Sequence, residues 1–146
     1  MKISISEDTR VTETEIAITC NHLTPEIEKI ISMIRILDMK LTGIKDGETC
    51  LIDAAKVLYM ESVDKKTFIY TENAVYESQL RLYELEAQLE RSGFFRASKS
   101  CIIHLKQIKS LKADLNRRIR VTMSNGEQLM VSRGYAEELK GRLGIR

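Results

Sequence analysis

The segment FFRASKSCIIHLKQIKSLK, residues 94 to 112, places a short apolar run between positive charges. Cys101, Ile102 and Ile103 form this run, and the segment contains no acidic residue. The run predicts a core strand. A cation beside such a strand is tolerated only if its charged end reaches water or an anion. The five cations of the segment are Arg96, Lys99, Lys106, Lys109 and Lys112.

Length and composition predict a globular protein with one real core. The 146 residues fit one domain, or a domain of about 100 residues with an N-terminal extension. No apolar stretch approaches the roughly 18 to 20 residues that a membrane span needs, and the N-terminal MKISISEDTR lacks the apolar region of a secretory signal. We therefore expect a soluble, cytoplasmic protein.

Charge is divided unequally along the chain. Residues 1 to 95 hold 11 basic and 17 acidic residues, whereas residues 96 to 146 hold 12 basic and 4 acidic residues. A basic C-terminal half points to a polyanion such as nucleic acid or a lipid surface, although solvated lysines on an ordinary surface give the same composition.

The first 43 residues predict a β-β-α extension. Residues 2–6 and 14–19 alternate apolar and polar side chains, as half-buried strands do. Thr24, Pro25 and Glu26 then supply an N-cap, a proline at the first helical position and an acid in the first turn, so a helix is expected over 24–40. Its apolar stripe packs either on the chain's own sheet or against a second subunit. The stripe contains Ile27, Ile30, Ile31 and Ile34.

Residues 44–146 predict a second unit made mostly of strands. Short runs rich in β-branched and aromatic residues fall at 49–52, 57–61, 67–71, 74–77, 100–105 and 108–111, with a further strand at Phe95. A helix is expected over 78–91 before Gly93, and another over 134–143 before Gly144. The clearest hairpin spans 118–132, with a type I′ turn predicted at Asn125-Gly126. The fold class is therefore α+β, mostly β and antiparallel.

Patterns for catalysis and metal binding are rejected. Ser62 and Lys65 match an S-x-x-K motif, but on a strand and loop rather than on a helix. Cys101 and His104 are three residues apart on a strand and so face opposite sides. The three cysteines lack C-x-x-C spacing, the chain has two histidines, and no glycine-rich phosphate loop is present. We expect no enzyme activity, no metal and no cofactor.

Three blocks of sequence, in this order, resemble the LytTR DNA-binding domain of bacterial transcription regulators. They are Ile52-x4-Val57-Leu58-Tyr59-x-Glu61-Ser62, Phe95-Arg96-x2-Lys99-Ser100-x-Ile102-Ile103-x-Leu105-x2-Ile108, and Asn125-Gly126-x2-Leu129-x-Val131-Ser132-Arg133-x-Tyr135. The resemblance covers residues 44–146. It implies an elongated β fold of ten strands with short helices, which contacts the major groove of DNA through loops rather than through a recognition helix.

The resemblance also implies individual DNA contacts. The base contacts of the family fall on Lys66 (or Lys65, depending on loop length), Lys99 and Arg133, whose donors suit guanine O6 and N7. Contacts to the DNA backbone are expected from a second set, which positions the protein without reading sequence. This set is Lys65, Arg96, Ser98, Ser100, Lys106 and Lys109. Many members carry Ile-His where this chain has Ala97-Ser98, which leaves the sequence preference of that loop open.

The length of the N-terminal extension bears on the partners that the resemblance implies. Forty-three residues are too few for the receiver domain of response regulators, so a stand-alone regulator is expected, of a class sometimes paired with a small membrane protein that restrains it. Double-stranded DNA with paired direct repeats, bound by a homodimer, is the expected partner. The alternative is a non-enzymatic binding module whose basic half docks on an acidic protein or an anionic membrane surface.

Overall fold

Ten strands and three α-helices make up the fold of the computed structural model, which describes residues 1–145. The helices are α1 (Pro25–Ile36), α2 (Leu82–Gln88) and α3 (Arg133–Leu143). The strands are β1 (Lys40–Lys45), β2 (Glu48–Asp53), β3 (Val57–Val63), β4 (Lys66–Thr71), β5 (Val75–Ser78), β6 (Phe94–Ser98), β7 (Cys101–His104), β8 (Ile108–Ala113), β9 (Ile119–Met123) and β10 (Gln128–Val131). The expected mostly antiparallel α+β architecture is confirmed.

The strands form two sheets. The larger sheet has the order β2-β1-β5-β4-β3-β7-β6, and the smaller one has the order β10-β9-β8. Every strand pair is antiparallel. Two buried apolar clusters lie on the two faces of the larger sheet. One includes residues of α2, and the other includes residues of the smaller sheet and α3.

Strand β7 explains the apolar run of the opening segment. Ile102 belongs to the cluster on the α2 side, whereas Cys101 and Ile103 belong to the cluster on the α3 side. The strand is therefore buried on both faces, and its three apolar residues have exposed fractions between 0% and 7%. Because β7 is only four residues long, Lys99 lies in the turn before it and Lys106 in a short 3-10 helix after it, where their ammonium groups meet water.

The predicted hairpin over 118–132 is confirmed, but its turn type was wrong. The Met123 N–H donates to the Glu127 carbonyl (2.8 Å) and the Met123 carbonyl accepts from the Gly126 N–H (2.9 Å), which closes a loop of three residues. Among these three, Gly126 alone has a positive φ, of 90°. This is the three-residue loop with glycine in the left-handed position, whereas a type I′ turn needs two positive φ angles.

The N-terminal segment differs from the predicted β-β-α extension. Residues 1–23 form no strand, so the strands expected at 2–6 and 14–19 are absent from this described part of the chain. Ile3 and Ile5 are 81% and 87% exposed. An alternating pattern produces a strand only when a neighbouring strand supplies hydrogen bonds and an apolar surface, and no such neighbour contacts this segment within the described residues.

The helix that follows is shorter than predicted. The predicted boundary between the extension and the second unit, after residue 43, falls inside β1. Thr24 caps α1 by accepting a hydrogen bond from the Ile27 N–H (3.4 Å), as expected, but α1 ends at Ile36 rather than at residue 40. Gly43, the last residue of the predicted extension, pairs with Cys50 in the sheet. A Cβ at Gly43 would lie 2.6 Å from the Cβ of Tyr76, so glycine allows β1 to pack closely there.

Helix α2 is also shorter than the predicted 78–91. Ser78 is the last residue of β5, and the helix begins at Leu82, where the Arg81 N–H donates to the Glu84 carboxylate (3.1 Å). Gly93 adopts the expected left-handed conformation, with a φ of 86°, but the helix has already ended four to five residues earlier. Gly144 ends α3 with a φ of 70°, as predicted.

Candidate nucleic-acid interface

Three loops meet at one end of the larger sheet. The Ser62 N–H donates to the Ser100 carbonyl (2.8 Å), which joins the end of β3 to the turn between β6 and β7. The Ser132 N–H donates to the Ala97 carbonyl (2.9 Å), which joins the start of α3 to the same turn. Together, residues 64–66, 98–100 and 132–133 form a continuous set of loops, called here the loop surface.

The turn between β3 and β4 presents Lys65 at its tip. Val63 pairs with Lys66, so Asp64 and Lys65 form a two-residue turn, with φ angles of 50° and 68°. These are the positive angles of a type I′ turn, in which Asn-Gly or Asp-Gly is usual. A lysine in the left-handed region is unusual, and this conformation costs about 1 kcal/mol or more.

Lys65 and Lys66 differ in their partners. The Lys66 ammonium lies 3.7 Å from a carboxylate oxygen of Glu77 on β5, and the two side chains are 67% and 40% exposed. Lys65 is exposed and forms no ion pair among the described residues. Of the two positions that the resemblance left open for a base contact, Lys65 is therefore the freer cation, although an exposed pair such as Lys66–Glu77 is weak and separates readily.

The turn between β6 and β7 carries Ser98, Lys99 and Ser100. Lys99 and Ser100 are exposed, and Ser98 is partly buried. The Ser98 hydroxyl accepts a hydrogen bond from the Ser100 N–H (3.2 Å), so both serines help to shape the turn. Lys99 lies at the tip with its ammonium free of ion pairs among the described residues, and its role in DNA contact stays a prediction.

The Arg96 side chain contacts its own turn and helix α2. Its Nε and Nη2 donate to the carbonyls of Ser98 and Lys99, each at 2.7 Å, and its Nη1 donates to the Glu86 carboxylate on α2 (2.9 Å). The side chain is 18% exposed. The DNA-backbone contact expected of Arg96 stays a prediction, and a phosphate would compete with these internal hydrogen bonds for the guanidinium.

Arg133 is the first residue of α3 and is exposed. Ser132 precedes it as the N-cap, and the Ser132 carbonyl accepts from the Tyr135 N–H (2.9 Å), but the Ser132 hydroxyl makes no capping hydrogen bond. The Arg133 guanidinium forms no hydrogen bond in the described part of the chain. Arg133 therefore belongs to the first turn of a helix rather than to a strand.

Lys106 and Lys109 lie away from the loop surface. β7 begins beside the loop surface at Cys101 and ends at His104, so four residues, about 13 Å of strand, separate Lys106 from it. Lys109 follows Ile108, which pairs with Met123 at the opposite end of the smaller sheet from Ser132. The structure does not bring these two predicted backbone contacts together with the other predicted site residues.

Arg117 is a cation that sequence reasoning missed. It lies in the turn between β8 and β9, two residues before Ile119, which pairs with Val131 just before Ser132. Arg117 is exposed and has a φ of 63°. Nearby Arg120 is instead held by Asp114 (3.0 Å). The cluster Arg117-Arg118-x-Arg120 was the available signal, but its distance from the family-like blocks gave no reason to single it out.

Cys101 and His104 lie on opposite faces of β7, as predicted. Burial raises the pKa of the Cys101 thiol to about 12, so this thiol stays protonated at neutral pH. His104 stacks on Phe94 and donates through Nδ1 to the Val57 carbonyl (2.7 Å), which makes it a core histidine. Burial lowers the pKa of His104, which keeps the ring neutral.

Residues 1–145 contain neither a metal-binding cluster of side chains nor a membrane-spanning helix. No group of three or more His, Cys, Asp or Glu side chains in this part of the chain is arranged to hold a metal ion. No helix among the same residues is both long and apolar enough to cross a membrane.

Comparison with known proteins identifies relatives of the whole chain and of its C-terminal part. The family model described as the LytTr DNA-binding domain matches residues 47–144. Uncharacterised HTH-type transcriptional regulators of Staphylococcus aureus strains MSSA476 and MW2 are each 31% identical over 147 residues, which covers 99% of this chain and 99% of each relative. A solved LytTr DNA-binding domain from Bacillus cereus superposes with a TM-score of 0.69 at 29% identity, over 73% of this chain and 97% of that chain.

Proposed function

The chain belongs to the family of LytTr DNA-binding domains and is a DNA-binding transcription regulator; we propose that it reads the major groove through the loop surface. One observation carries this proposal. The three positions to which the resemblance assigned base contacts come from distant parts of the sequence, and two main-chain hydrogen bonds bring their loops to one end of the sheet. Rigid loops at a sheet end can present donors to base edges at low entropic cost.

The helices support a contact through loops. Strands separate α1 from α2 and α2 from α3, so no two α-helices of residues 1–145 are consecutive in the way a helix-turn-helix requires. Lys65, Lys99 and Arg133 are proposed as the base-reading cations, with Lys66 in place of Lys65 if its pair with Glu77 opens. Ser98 and Ser100 are proposed to contact the backbone through hydroxyl or N–H groups.

We propose that the regulator acts as a homodimer on paired direct repeats. The isoleucine stripe of α1 supports this, because Ile27, Ile30, Ile31 and Ile34 are only partly buried within one chain. Ile36 alone of this helix joins the core. A stripe that its own domain covers incompletely can bury the remaining area against a second subunit. The cytoplasm, where bacterial DNA lies, is the proposed location, and a restraining small membrane protein is proposed as a second partner by the family resemblance.

Selection of duplexes from a random-sequence pool tests the function. The full chain should enrich a defined sequence and bind it about 10³-fold or more tightly than random duplex at physiological salt. Affinity should fall linearly with the logarithm of salt concentration. Equal affinity for every duplex would refute sequence-specific regulation and favour a general polyanion-binding module. In that case vesicles of anionic lipid should compete with DNA for the protein.

A further inference from the structure

We propose that Arg96 is a positioning residue for DNA recognition: it holds the turn between β6 and β7 in the shape that presents Lys99, and it does not bind a phosphate itself. This inference rests on the proposed function, because a presented lysine matters only if the loop surface binds DNA. It replaces the backbone contact that the family resemblance implied for Arg96.

Each of the three guanidinium nitrogens donates one hydrogen bond inside the protein. Nε and Nη2 each donate at 2.7 Å to two consecutive main-chain carbonyls, those of Ser98 and Lys99, and Nη1 donates at 2.9 Å to Glu86. These are the short distances of charge-assisted hydrogen bonds. Since the side chain is only 18% exposed, little of the guanidinium is open to a phosphate.

The turn depends on this side chain because the strand pairing is interrupted there. Arg96 pairs with Ile102 and Ser98 pairs with Cys101, so the register shifts at Ala97, whose carbonyl is used by the start of α3. The carbonyls of Ser98 and Lys99 accept hydrogen bonds from Arg96. Without the guanidinium they would have to find water, and Lys99 would lose a fixed backbone direction.

Glu86 completes the arrangement from α2. Its carboxylate orients Arg96 and is 48% exposed. If long-range charge alone mattered, removal of this negative charge would strengthen DNA binding. If Glu86 orients Arg96, its removal instead weakens the specific complex. The two explanations therefore predict opposite signs for the same substitution.

Binding of the Arg96→Gln variant of the full chain tests the proposal, with two probes: the duplex enriched by the wild-type protein from a random pool, and a random duplex of equal length. We expect affinity for the enriched duplex to fall about tenfold, affinity for the random duplex to change by less than about twofold, and the salt slope to stay constant. Equal losses on both duplexes, with a salt slope lower by about one, would overturn the proposal in favour of a phosphate contact.

Further variants separate positioning from general damage. Glu86→Gln should weaken binding to the enriched duplex, whereas Glu90→Gln, which removes an exposed charge near the end of α2, should not.

In a Lys99→Ala background, Arg96→Gln should cause no further loss of sequence preference, because its effect acts through Lys99. Fully additive losses would overturn the proposal. If Arg96→Gln does not fold, Glu86→Gln and its Glu90→Gln control decide alone. If wild-type protein enriches no sequence, the proposed function itself has failed.

Discussion

The main-chain N–H of Ser132 lies 2.9 Å from the carbonyl oxygen of Ala97, 35 positions earlier in the chain, and joins the start of α3 to the turn that carries Lys99. This single hydrogen bond places Arg133 and Lys99 on neighbouring loops. The aromatic rings of Phe95 and Tyr135, with centroids 6.4 Å apart, pack just behind it and fix α3 on β6. DNA recognition is therefore expected to depend on the contact between α3 and β6 as well as on the cations.

Arg133→Ala tests base reading at the start of α3. The substitution should cost about 1 to 3 kcal/mol on the enriched duplex and relax preference at one base pair, because a guanidinium can donate to guanine O6 and N7 together. Affinity for random duplex should hardly change. Fluorescence anisotropy with both duplexes measures the two values.

Lys106→Ala is the matched control for Arg133→Ala. It removes one exposed cation at the far end of β7, so binding to both duplexes should stay within about twofold if DNA is confined to the loop surface. A salt slope lower by about one for Lys106→Ala would instead show that DNA extends along the sheet to this lysine. An equal loss on both duplexes for Arg133→Ala would make Arg133 a phosphate contact.

Lys65→Gly should raise stability while it lowers DNA affinity. Lys65 has a φ of 68°, and glycine removes the steric cost of the left-handed region, so the free energy of unfolding should rise by about 0.5 kcal/mol after the entropy of glycine is subtracted. Loss of the ammonium should weaken binding about tenfold or more. Urea unfolding and duplex titration measure the two effects.

Lys65→Asn separates conformation from charge in this turn. Asparagine tolerates the left-handed region but carries no charge, so it should keep the stability of the wild-type protein and still lose affinity. If a variant at Lys65 gained stability and retained full affinity, Lys65 would not be part of the interface. The base contact would then be assigned to Lys66.

Ile30→Glu and Ile34→Glu test the isoleucine stripe of α1. Both side chains are partly buried within one chain. If they pair subunits, the variants should stay folded by circular dichroism, sediment as monomers and bind paired sites more weakly than the wild-type protein, since a buried carboxylate is costly at an apolar interface. Unfolding of both variants would show that the stripe belongs to the core of the single chain.

The buried side chain of His104 should make the folded protein less stable in mild acid. Burial holds the folded-state pKa of His104 below the ordinary value of 6.5, so the unfolded chain binds a proton first as pH falls. The free energy of unfolding should therefore decrease as pH drops below about 6.5, and should stop decreasing on this account below the folded-state pKa. Urea titrations between pH 8 and pH 5 measure the slope.

His104→Asn supplies the control for this pH dependence. Asparagine can donate to the Val57 carbonyl as the Nδ1 group does, but it does not titrate, so the variant should show a flatter slope between pH 7 and pH 5, even if its stability is lower throughout. An unchanged slope would assign the pH dependence to other groups. Asp114, whose pKa is lowered by the Leu115 N–H and Arg120, acts only below about pH 4.

Most secondary-structure elements of this protein, and its family, can be predicted from the amino-acid sequence alone. The strand at Cys101, the cap at Thr24, the stop at Gly144 and the hairpin over 118–132 follow from local rules of burial, capping and backbone conformation, which require only near neighbours along the chain. The blocks that resemble the family also carried Lys99 and Arg133, since those residues are adjacent to strands with recognisable patterns.

The way these residues are used depends on the tertiary structure. Local sequence cannot show that Arg96 faces Glu86 and two carbonyls of its own turn, because this depends on α2 lying against the same face of β6. It also cannot show that Gly43 allows a close approach to Tyr76, or that the alternating residues 2–6 have no strand to pair with. In each case the outcome depends on contacts between segments far apart in sequence, whose geometry is set by packing.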